Sequence, residues 1–114
     1  MNKKIIGDAG ENIAAEFLMK NGYKILNRNF RVKGAEIDII AIKKNLVVFV
    51  EVKARLNLNY GRPSEAVTKA KQRKIAMAAE YFIVKNRLNK NDFRFDVIEI
   101  LGDEINHIEN AFYV

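Results

Sequence analysis

Two acidic side chains in apolar surroundings are the strongest sign of chemistry in this sequence. Asp38 lies in the run 34–42 and Glu51 in the run 46–55, and both runs are rich in Ile and Val. Such runs are typical of β-strands, and a charged group inside one is costly to bury unless it is paired. Asp38 and Glu51 therefore require a positively charged partner.

A hairpin between the two runs would bring these carboxylates together. Asn45 tolerates positive φ and suits a two-residue turn, in which Asp38 faces Glu51. The same register sets Glu36 opposite Lys53. Facing Cβ atoms lie about 4.5–5.5 Å apart, so like charges there repel each other unless a cation intervenes. The candidate cations are the Lys53 ammonium and a divalent metal ion.

Side-chain alternation predicts which residues share a face of the hairpin. On the first strand, one face comprises Glu36, Asp38, Ile40 and Ile42. On the second strand, one face comprises Val47, Phe49, Glu51 and Lys53, and the other comprises Leu46, Val48, Val50, Val52 and Ala54. Because most residues on both faces of the second strand are apolar, we expect a central strand that is covered on both sides.

The carboxylate pair suits a divalent metal ion. Mg²⁺ and Mn²⁺ prefer oxygen ligands, usually one or two carboxylates with water and a substrate phosphate. We therefore predict metal binding by Asp38, Glu51 and the backbone carbonyl of Val52. A bound cation would polarise a phosphodiester and acidify an attacking water. Lys53 could orient that water or stabilise charge on the phosphate.

The first helix supplies another carboxylate. It is predicted over 9–21, with Asp8 as N-cap and Glu11 completing a capping box. Its apolar stripe comprises Ile13, Ala14, Phe17 and Leu18. Glu11 is open to two interpretations: a capping residue, or a carboxylate that projects toward the active face. In the second interpretation, Glu11 and Glu36 would hold a second metal ion or its water shell.

The second helix is predicted over 69–86, with Thr68 as its N-cap. Its apolar stripe comprises Ile75, Ala78, Ala79, Phe82 and Ile83. Lys71 lies one turn before this stripe and so points inward. The positive charges in the first turns oppose the helix dipole, which is consistent with anion binding or with a solvated face. The predicted nucleic-acid contacts are Arg28, Arg31, Arg55, Lys69, Lys71, Arg73 and Lys74.

The remaining pattern completes an α/β chain with a single domain over residues 1–114. Further strands are predicted over 23–30, 93–101 and 104–108, with a loop over 56–62 and a helical turn over 63–67. The order α-β-β-β-α-β-β predicts a mixed sheet of about five strands flanked by helices, which is an α/β sandwich. Asp96 is predicted to be a buried structural carboxylate or salt-bridge partner, and His107 a surface or packing residue.

Composition narrows the function classes. The formal net charge of +6 favours an anionic partner, most simply DNA or another nucleic acid. The chain has no cysteine, which excludes disulfides and Cys-based zinc sites, and its single histidine excludes a His-rich metal centre. There is no Gly-rich phosphate loop. Since no apolar run approaches ~20 residues and no signal-peptide pattern is evident, we expect no membrane partner and a cytoplasmic location.

The spacing of the acidic and basic residues in the hairpin resembles the PD-(D/E)xK nuclease superfamily. The matching residues are Asp38 on one strand and Glu51-Val52-Lys53 on its partner, with Ile37 in the place of the superfamily's proline. Nearly the whole chain is similar to the YraN-like family of bacterial proteins. The matching stretches are 7–11, 27–31, 36–40, 49–55, 61–71 and 94–97.

This resemblance implies a restriction endonuclease-like sandwich related to archaeal Holliday-junction resolvases. It implies that Glu11 matches the first-helix glutamate of those enzymes, and that Lys71 or Gln72 takes the basic or polar position of the following helix. Superfamily resolvases act as dimers, so a homodimer is expected by analogy.

Three hypotheses follow. The first is a Mg²⁺- or Mn²⁺-dependent endonuclease that hydrolyses phosphodiester bonds in DNA, such as branched or damaged DNA. Its catalytic residues would be Asp38, Glu51, Lys53, Glu36, Glu11 and Lys71. The second is a catalytically inactive nucleic-acid-binding or adaptor module with the same fold. The third is an interaction protein in which Glu36–Lys53 and Asp38–Arg55 are structural ion pairs.

Overall fold

The computed structural model describes residues 3–55 and 67–113, with the backbone alone for residues 3–7. Its elements are α1 (Lys3–Lys20), β1 (Lys24–Val32), β2 (Ala35–Lys43), β3 (Leu46–Arg55), α2 (Lys69–Lys85), β4 (Asp92–Leu101) and β5 (Glu104–Ile108). This is the predicted order. The predicted loop over 56–62 and most of the predicted turn over 63–67 lie outside the described residues.

The five strands form one mixed sheet in the order β1-β2-β3-β4-β5. Only β3 and β4 are parallel, and the other neighbouring strands are antiparallel. Parallel neighbours need a long crossover connection, and α2 lies in the connection between β3 and β4. The predicted α/β class and mixed sheet are confirmed.

The sheet is covered on both faces, as the alternation along β3 predicts. One core includes Ala14 and Leu18 of α1 with Val48, Val50 and Ile98 of the sheet. The other includes Ile75, Ala78 and Phe82 of α2 with Val47, Phe49 and Val97 of the sheet. We call these the α1-side core and the α2-side core. Since β3 contributes to both, it is the central strand.

The start of α1 differs from the prediction. The helix begins at Lys3, so Asp8 lies within it and is not an N-cap. Glu11 is consequently in the middle of the helix, and the predicted capping box is wrong. Ile13, predicted to be part of the apolar stripe, is exposed, whereas Ala15 is buried. The local cap pattern did not decide the boundary, because the upstream residues continue the helix without a break.

Gly10 explains how close α1 lies to the sheet. A Cβ atom at this position would lie 2.7 Å from the Cβ of Ala54 on β3, which is too close for any side chain. The helix therefore rests directly on the C-terminal half of β3. This contact brings the next residue, Glu11, to the end of the sheet where Asp38 and Glu51 lie.

The second helix and the hairpin turn follow the sequence more closely. Thr68 caps α2, and its side-chain oxygen accepts a hydrogen bond from the Lys71 backbone N–H at 3.2 Å. The β2–β3 turn is two residues long, but the positive φ of 55° falls on Lys44 rather than on Asn45. Neither helix in the described residues is long and apolar enough to span a membrane.

Candidate functional site

The predicted register between β2 and β3 is confirmed, and it ends at the candidate site. The paired residues run from Lys43 with Leu46 to Ile39 with Val50. The next positions in this register are Asp38 and Glu51, but the backbone ladder stops before them. The backbone N–H of Val52 instead donates to Oδ2 of Asp38 at 2.8 Å.

The regular alternation of side chains between the two faces of the sheet is interrupted in β2 at Asp38. Ile37 packs in the α2-side core and Ile39 in the α1-side core, although strand residues two apart normally share a face. The predicted common face for Glu36, Asp38, Ile40 and Ile42 is therefore wrong. The physical reason is that the β2–β3 ladder ends at Ile39 while β2 stays paired with β1 as far as Ala35, so the alternation set by β3 does not extend to Asp38. Asp38 consequently borders depressions on both sides.

The first depression lies between β2, β3 and α2 and has a volume of about 430 Å³. Its lining includes Glu36, Asp38, Glu51, Thr68, Lys71 and Lys74. Glu51 is only 5% exposed, and its Oε1 atom lies 2.5 Å from Nζ of Lys71 and 3.4 Å from Nζ of Lys53. The inward orientation predicted for Lys71 is thus confirmed. The Gln72 amide donates to the carbonyl of Val67, so Lys71, not its neighbour, contacts Glu51.

The carboxylates in this depression repel each other. Burial, followed by the negative charge of Glu51, raises the pKa of Asp38 to about 7. The Val52 N–H opposes this rise, the carboxylate of Glu11 adds to it, and the Lys71 ammonium reduces it. The local balance of charge at Asp38 is therefore negative enough to favour its protonated form near neutral pH.

The two lysines differ from each other in proton affinity. Burial lowers the pKa of Lys53, and so does a hydrogen bond with the Lys71 ammonium, in which an uncharged Lys53 amine must accept. Burial also lowers the pKa of Lys71, but its contacts with Glu51 and Lys53 outweigh burial and raise that pKa on balance. Lys71 is thus the firmly charged partner of Glu51, and Lys53 is the group that more readily gives up its proton.

The second depression lies on the α1 side of Asp38 and has a volume of about 400 Å³. Its lining includes Asp8, Glu11, Asn29, Arg31, Glu36 and Asp38. Oε1 of Glu11 accepts hydrogen bonds from Arg28 Nε at 3.0 Å and from Asn29 Nδ2 at 3.1 Å. Of the two interpretations of Glu11, the structure supports the carboxylate that faces the candidate site.

The ion pairs of the third hypothesis do not form. Glu36 pairs with Arg31 at 3.0 Å, and Lys53 pairs with Glu51. Asp38 accepts from the Val52 backbone, while the guanidinium of Arg55 donates to the carbonyl of Ala54. The β2–β3 ladder ends before Glu36 and Lys53 could face each other, and other partners hold Asp38 and Arg55.

Five of the seven basic residues that were predicted to contact nucleic acid fall into two groups. Arg28 and Arg31 hold carboxylates at the α1-side depression. Lys69, Arg73 and Lys74 are exposed on α2. Nucleic-acid binding by any of these residues stays a prediction.

Two residues of the site were not predicted from the sequence. Asn29 adopts a φ of 55° inside β1 and donates to Glu11, and an Asn before an aromatic residue in a strand was the available signal. Glu99 is 2% exposed on β4 and is the register partner of Lys53. Its position in an alternating apolar strand could have indicated that it is buried.

A separate cluster surrounds Asp96 on the α1 side of β4. Its carboxylate accepts from Arg94 Nε at 2.8 Å, from His107 Nε2 at 2.7 Å and from the Asn110 backbone N–H at 3.1 Å. Burial raises the pKa of Asp96, but the hydrogen bonds from His107 and Arg94 outweigh burial and lower that pKa on balance. The predictions of a buried structural carboxylate at Asp96 and a packing role for His107 are confirmed.

The donor set for a metal ion is small. Within residues 3–55 and 67–113, no three His, Cys, Asp or Glu side chains are grouped as a metal site. Asp38 and Glu51 offer two carboxylates, and Val52 lies beside them on β3. Binding of Mg²⁺ or Mn²⁺ by these three residues stays a prediction.

Fold and site together define an α/β sandwich protein with a carboxylate–lysine cluster at the open end of a hairpin. The chain belongs to the family described as "Uncharacterised protein family UPF0102", whose profile matches residues 10–100. This is the YraN-like family that the sequence resembles.

Relatives match over nearly their full length. A UPF0102 protein of Caldicellulosiruptor saccharolyticus is 49% identical over 118 residues, covering 98% of this chain and all of the relative. One of Clostridioides difficile is 50% identical over 114 residues, with the same coverage. A third, of Clostridium botulinum, is 50% identical over 97% of this chain and 96% of its own length.

Proposed function

We propose that this protein is a metal-dependent endonuclease of the PD-(D/E)xK superfamily that hydrolyses phosphodiester bonds in DNA. The observation that carries the proposal is the cluster in which Asp38, Glu51 and Lys71 line one solvent-open depression and Lys53 pairs with Glu51. A half-buried carboxylate with a raised pKa beside a second carboxylate and two amines is typical of a catalytic site.

The residues present fit a divalent cation. The Val52 N–H engages one oxygen of Asp38, and both lysines engage Oε1 of Glu51, so each carboxylate keeps a second oxygen that these contacts do not occupy. Two carboxylates and the Val52 carbonyl are hard oxygen donors, which suit a Mg²⁺ ion that retains several waters. The repulsion that raises the pKa of Asp38 is the repulsion that a cation would relieve. When bound, the ion would polarise the phosphodiester and acidify a water.

The two lysines would have different catalytic roles. Lys71 carries a firm positive charge at the mouth of the depression, where it can exchange Glu51 for a phosphate oxygen of the substrate. Lys53 is more buried, and its lowered pKa suits a group that orients the attacking water and exchanges a proton with it. Glu11 and Glu36 border Asp38 on the α1 side and would position the water shell.

The test is cleavage of branched, nicked, single-stranded and plain duplex DNA in Mg²⁺ or Mn²⁺. We expect at least one substrate to be cut, with activity abolished by chelator. Asp38→Asn and Glu51→Gln should each lower the rate by about 100-fold or more, because each removes a charge that acts on the transition state. Asp103→Asn and Glu104→Gln are matched controls, since both residues are exposed, Asp103 in the β4–β5 turn and Glu104 at the start of β5. The proposal fails if no substrate is cut, or if the two site variants cut as well as the controls.

The pairing of Glu51 with two lysines favours one second candidate, a nucleic-acid-binding module without catalysis. This module would bind DNA through exposed residues such as Lys69, Arg73 and Lys74, with a strong salt dependence and no effect of chelator. Calorimetric titration with Mn²⁺ separates the two candidates. Heat that Asp38→Asn abolishes supports the enzyme, whereas no binding supports the module.

A further inference from the structure

The outer face of α2 carries an apolar stripe that no described segment covers. Met77, Tyr81 and Val84 follow one another at helical spacing, and Tyr81 is 53% and Val84 70% exposed. Lys74 precedes them on the same stripe and lines the depression that contains Asp38 and Glu51. The stripe therefore begins at the candidate site and extends about 15 Å from it, at 1.5 Å per residue.

The charges around this stripe are nearly all of one sign. The exposed basic residues between positions 69 and 90 are Lys69, Arg73, Lys74, Lys85, Arg87 and Lys90. Glu80 is the one exposed acidic residue in that segment. A surface that interleaves apolar side chains with cations matches a partner that has both apolar faces and regular negative charge.

Tyr81 is prepared for stacking. Its ring lies 6.2 Å from the ring of Phe30, centroid to centroid, at an interplanar angle of 32°. Phe30 is in turn packed edge-on against Phe82 of the α2-side core, at 5.1 Å. Tyr81 thus rests on the partly buried ring of Phe30 while about half of its own surface faces solvent. A planar group that lay on Tyr81 would extend an existing row of rings.

A second copy of the chain fits this surface poorly. In a two-fold pair of such stripes, Arg73 and Lys74 of one copy would lie near the same residues of the other copy if the helices ran parallel, and near its Lys85 and Arg87 if they ran antiparallel. All four residues are exposed and basic. Like charges at both ends of the contact would oppose association.

We propose that the α2 stripe binds single-stranded or unpaired DNA, with a base stacked on Tyr81 and the backbone following the flanking cations toward the site. Unpaired nucleotides offer exposed base faces, whereas a duplex keeps these faces inside its own stack. This inference rests on the proposed function, because it assigns the substrate of that site as DNA with an unpaired segment next to the scissile bond.

Binding in EDTA tests the inference without any cleavage. Fluorescence anisotropy with a labelled oligo-dT strand and with a duplex of equal length measures both affinities for the full chain. We expect Tyr81→Ala to weaken binding of the single strand by about tenfold and to leave duplex binding nearly unchanged. Tyr81→Phe should bind as the wild type does. Tyr113→Ala is the matched control, because Tyr113 is 79% exposed and remote from α2 in sequence.

A second measurement does not depend on any variant. Photocrosslinking of a strand that contains 5-iodo-deoxyuridine should label the tryptic peptide over 75–85, which contains Tyr81. The inference is overturned if Tyr81→Ala and Tyr113→Ala behave alike, if the crosslink falls elsewhere, or if Tyr81→Ala instead abolishes a dimer in sedimentation. Tyr81-dependent binding without cleavage would support the inference and refute the nuclease. Cleavage of unpaired DNA that Tyr81→Ala leaves unchanged would refute the inference and support the nuclease.

Discussion

Asp96, which is buried, and Asp38, which is half-buried, lie on the same sheet, and their pKa values are shifted in opposite directions. Within the described residues, Asp96 accepts four hydrogen bonds, two from Arg94 and one each from His107 and Asn110, and its pKa is lowered. Asp38 accepts one, from the backbone of Val52, and its pKa is raised to about 7.

Burial raises the pKa of both carboxylates, so the difference lies in their hydrogen bonds and neighbouring charges. Arg94 lies directly against Asp96, whereas Asp38 faces the negative charges of Glu51 and Glu11. Asp96 is thus neutralised by Arg94, whereas Asp38 is repelled by the carboxylates of Glu51 and Glu11. The first arrangement stabilises a fold, and the second is typical of a site that recruits a charged ligand.

The largest effect should follow loss of the Asp96 cluster. Asp96→Ala removes the acceptor of four hydrogen bonds and leaves the half-buried Arg94 paired with the exposed Glu109, and we expect a loss of about 3–5 kcal/mol in the free energy of unfolding. Urea denaturation at pH 7 measures it, with the exposed Asp103→Ala as control. The folded pKa of Asp96 is lowered from 3.8, so its contribution is present above that value and is lost as pH falls further. A variant as stable as the control at pH 7 would refute the structural role.

Asp38→Asn should instead increase the free energy of unfolding. Because the folded pKa of Asp38 is raised from 3.8 to about 7, the stability linked to its proton is fully present below 3.8 and is lost as pH rises through 7. Asparagine has no charge to lose and can still accept from the Val52 N–H. We expect the variant to be about 1–3 kcal/mol more stable than the wild type at pH 8, without metal. Urea denaturation at pH 8 and pH 4 checks this, and a difference independent of pH would contradict it.

A divalent cation should stabilise the fold through Asp38 and Glu51 and not through the Asp96 cluster. If Mn²⁺ binds at Asp38 and Glu51, a free concentration about ten times its Kd stabilises the fold by ~1.4 kcal/mol. Thermal unfolding with and without Mn²⁺ measures the shift, which Asp38→Asn or Glu51→Gln should abolish. The Asp103→Asn control should keep the full shift. An equal response in all four proteins would place the ion elsewhere.

The smallest effect is expected at the rim of the site. Glu36 and Arg31 form an ion pair in which both side chains are more than one-third exposed. Solvent screens such pairs, so Glu36→Gln should change stability by less than about 1 kcal/mol. Urea denaturation checks this against Asp96→Ala. A loss as large as that at Asp96 would show that the rim pair is part of the structural framework.

Local sequence patterns predicted the structure correctly where residues close in sequence determine it. The turn length and the apolar alternation set the register that brings Asp38 next to Glu51. Helical periodicity likewise predicted that Lys71 points inward, and it contacts Glu51. The cap pattern at Asp8 failed, because a helix start also depends on what precedes it and on the packing of Gly10 against β3.

The sequence by itself determined the order of the elements, the hairpin register and the identity of the paired carboxylates. These features follow from turn length, from periods of 2.0 and 3.6 residues, and from the cost of burying charge. Only the tertiary structure decided which partner each carboxylate meets. Glu11 is held by Arg28, 17 positions away, and Asp96 meets His107 across 11 positions. Such contacts depend on where the β2–β3 pairing ends and on how α1 and α2 pack on the sheet, and no local pattern encodes them.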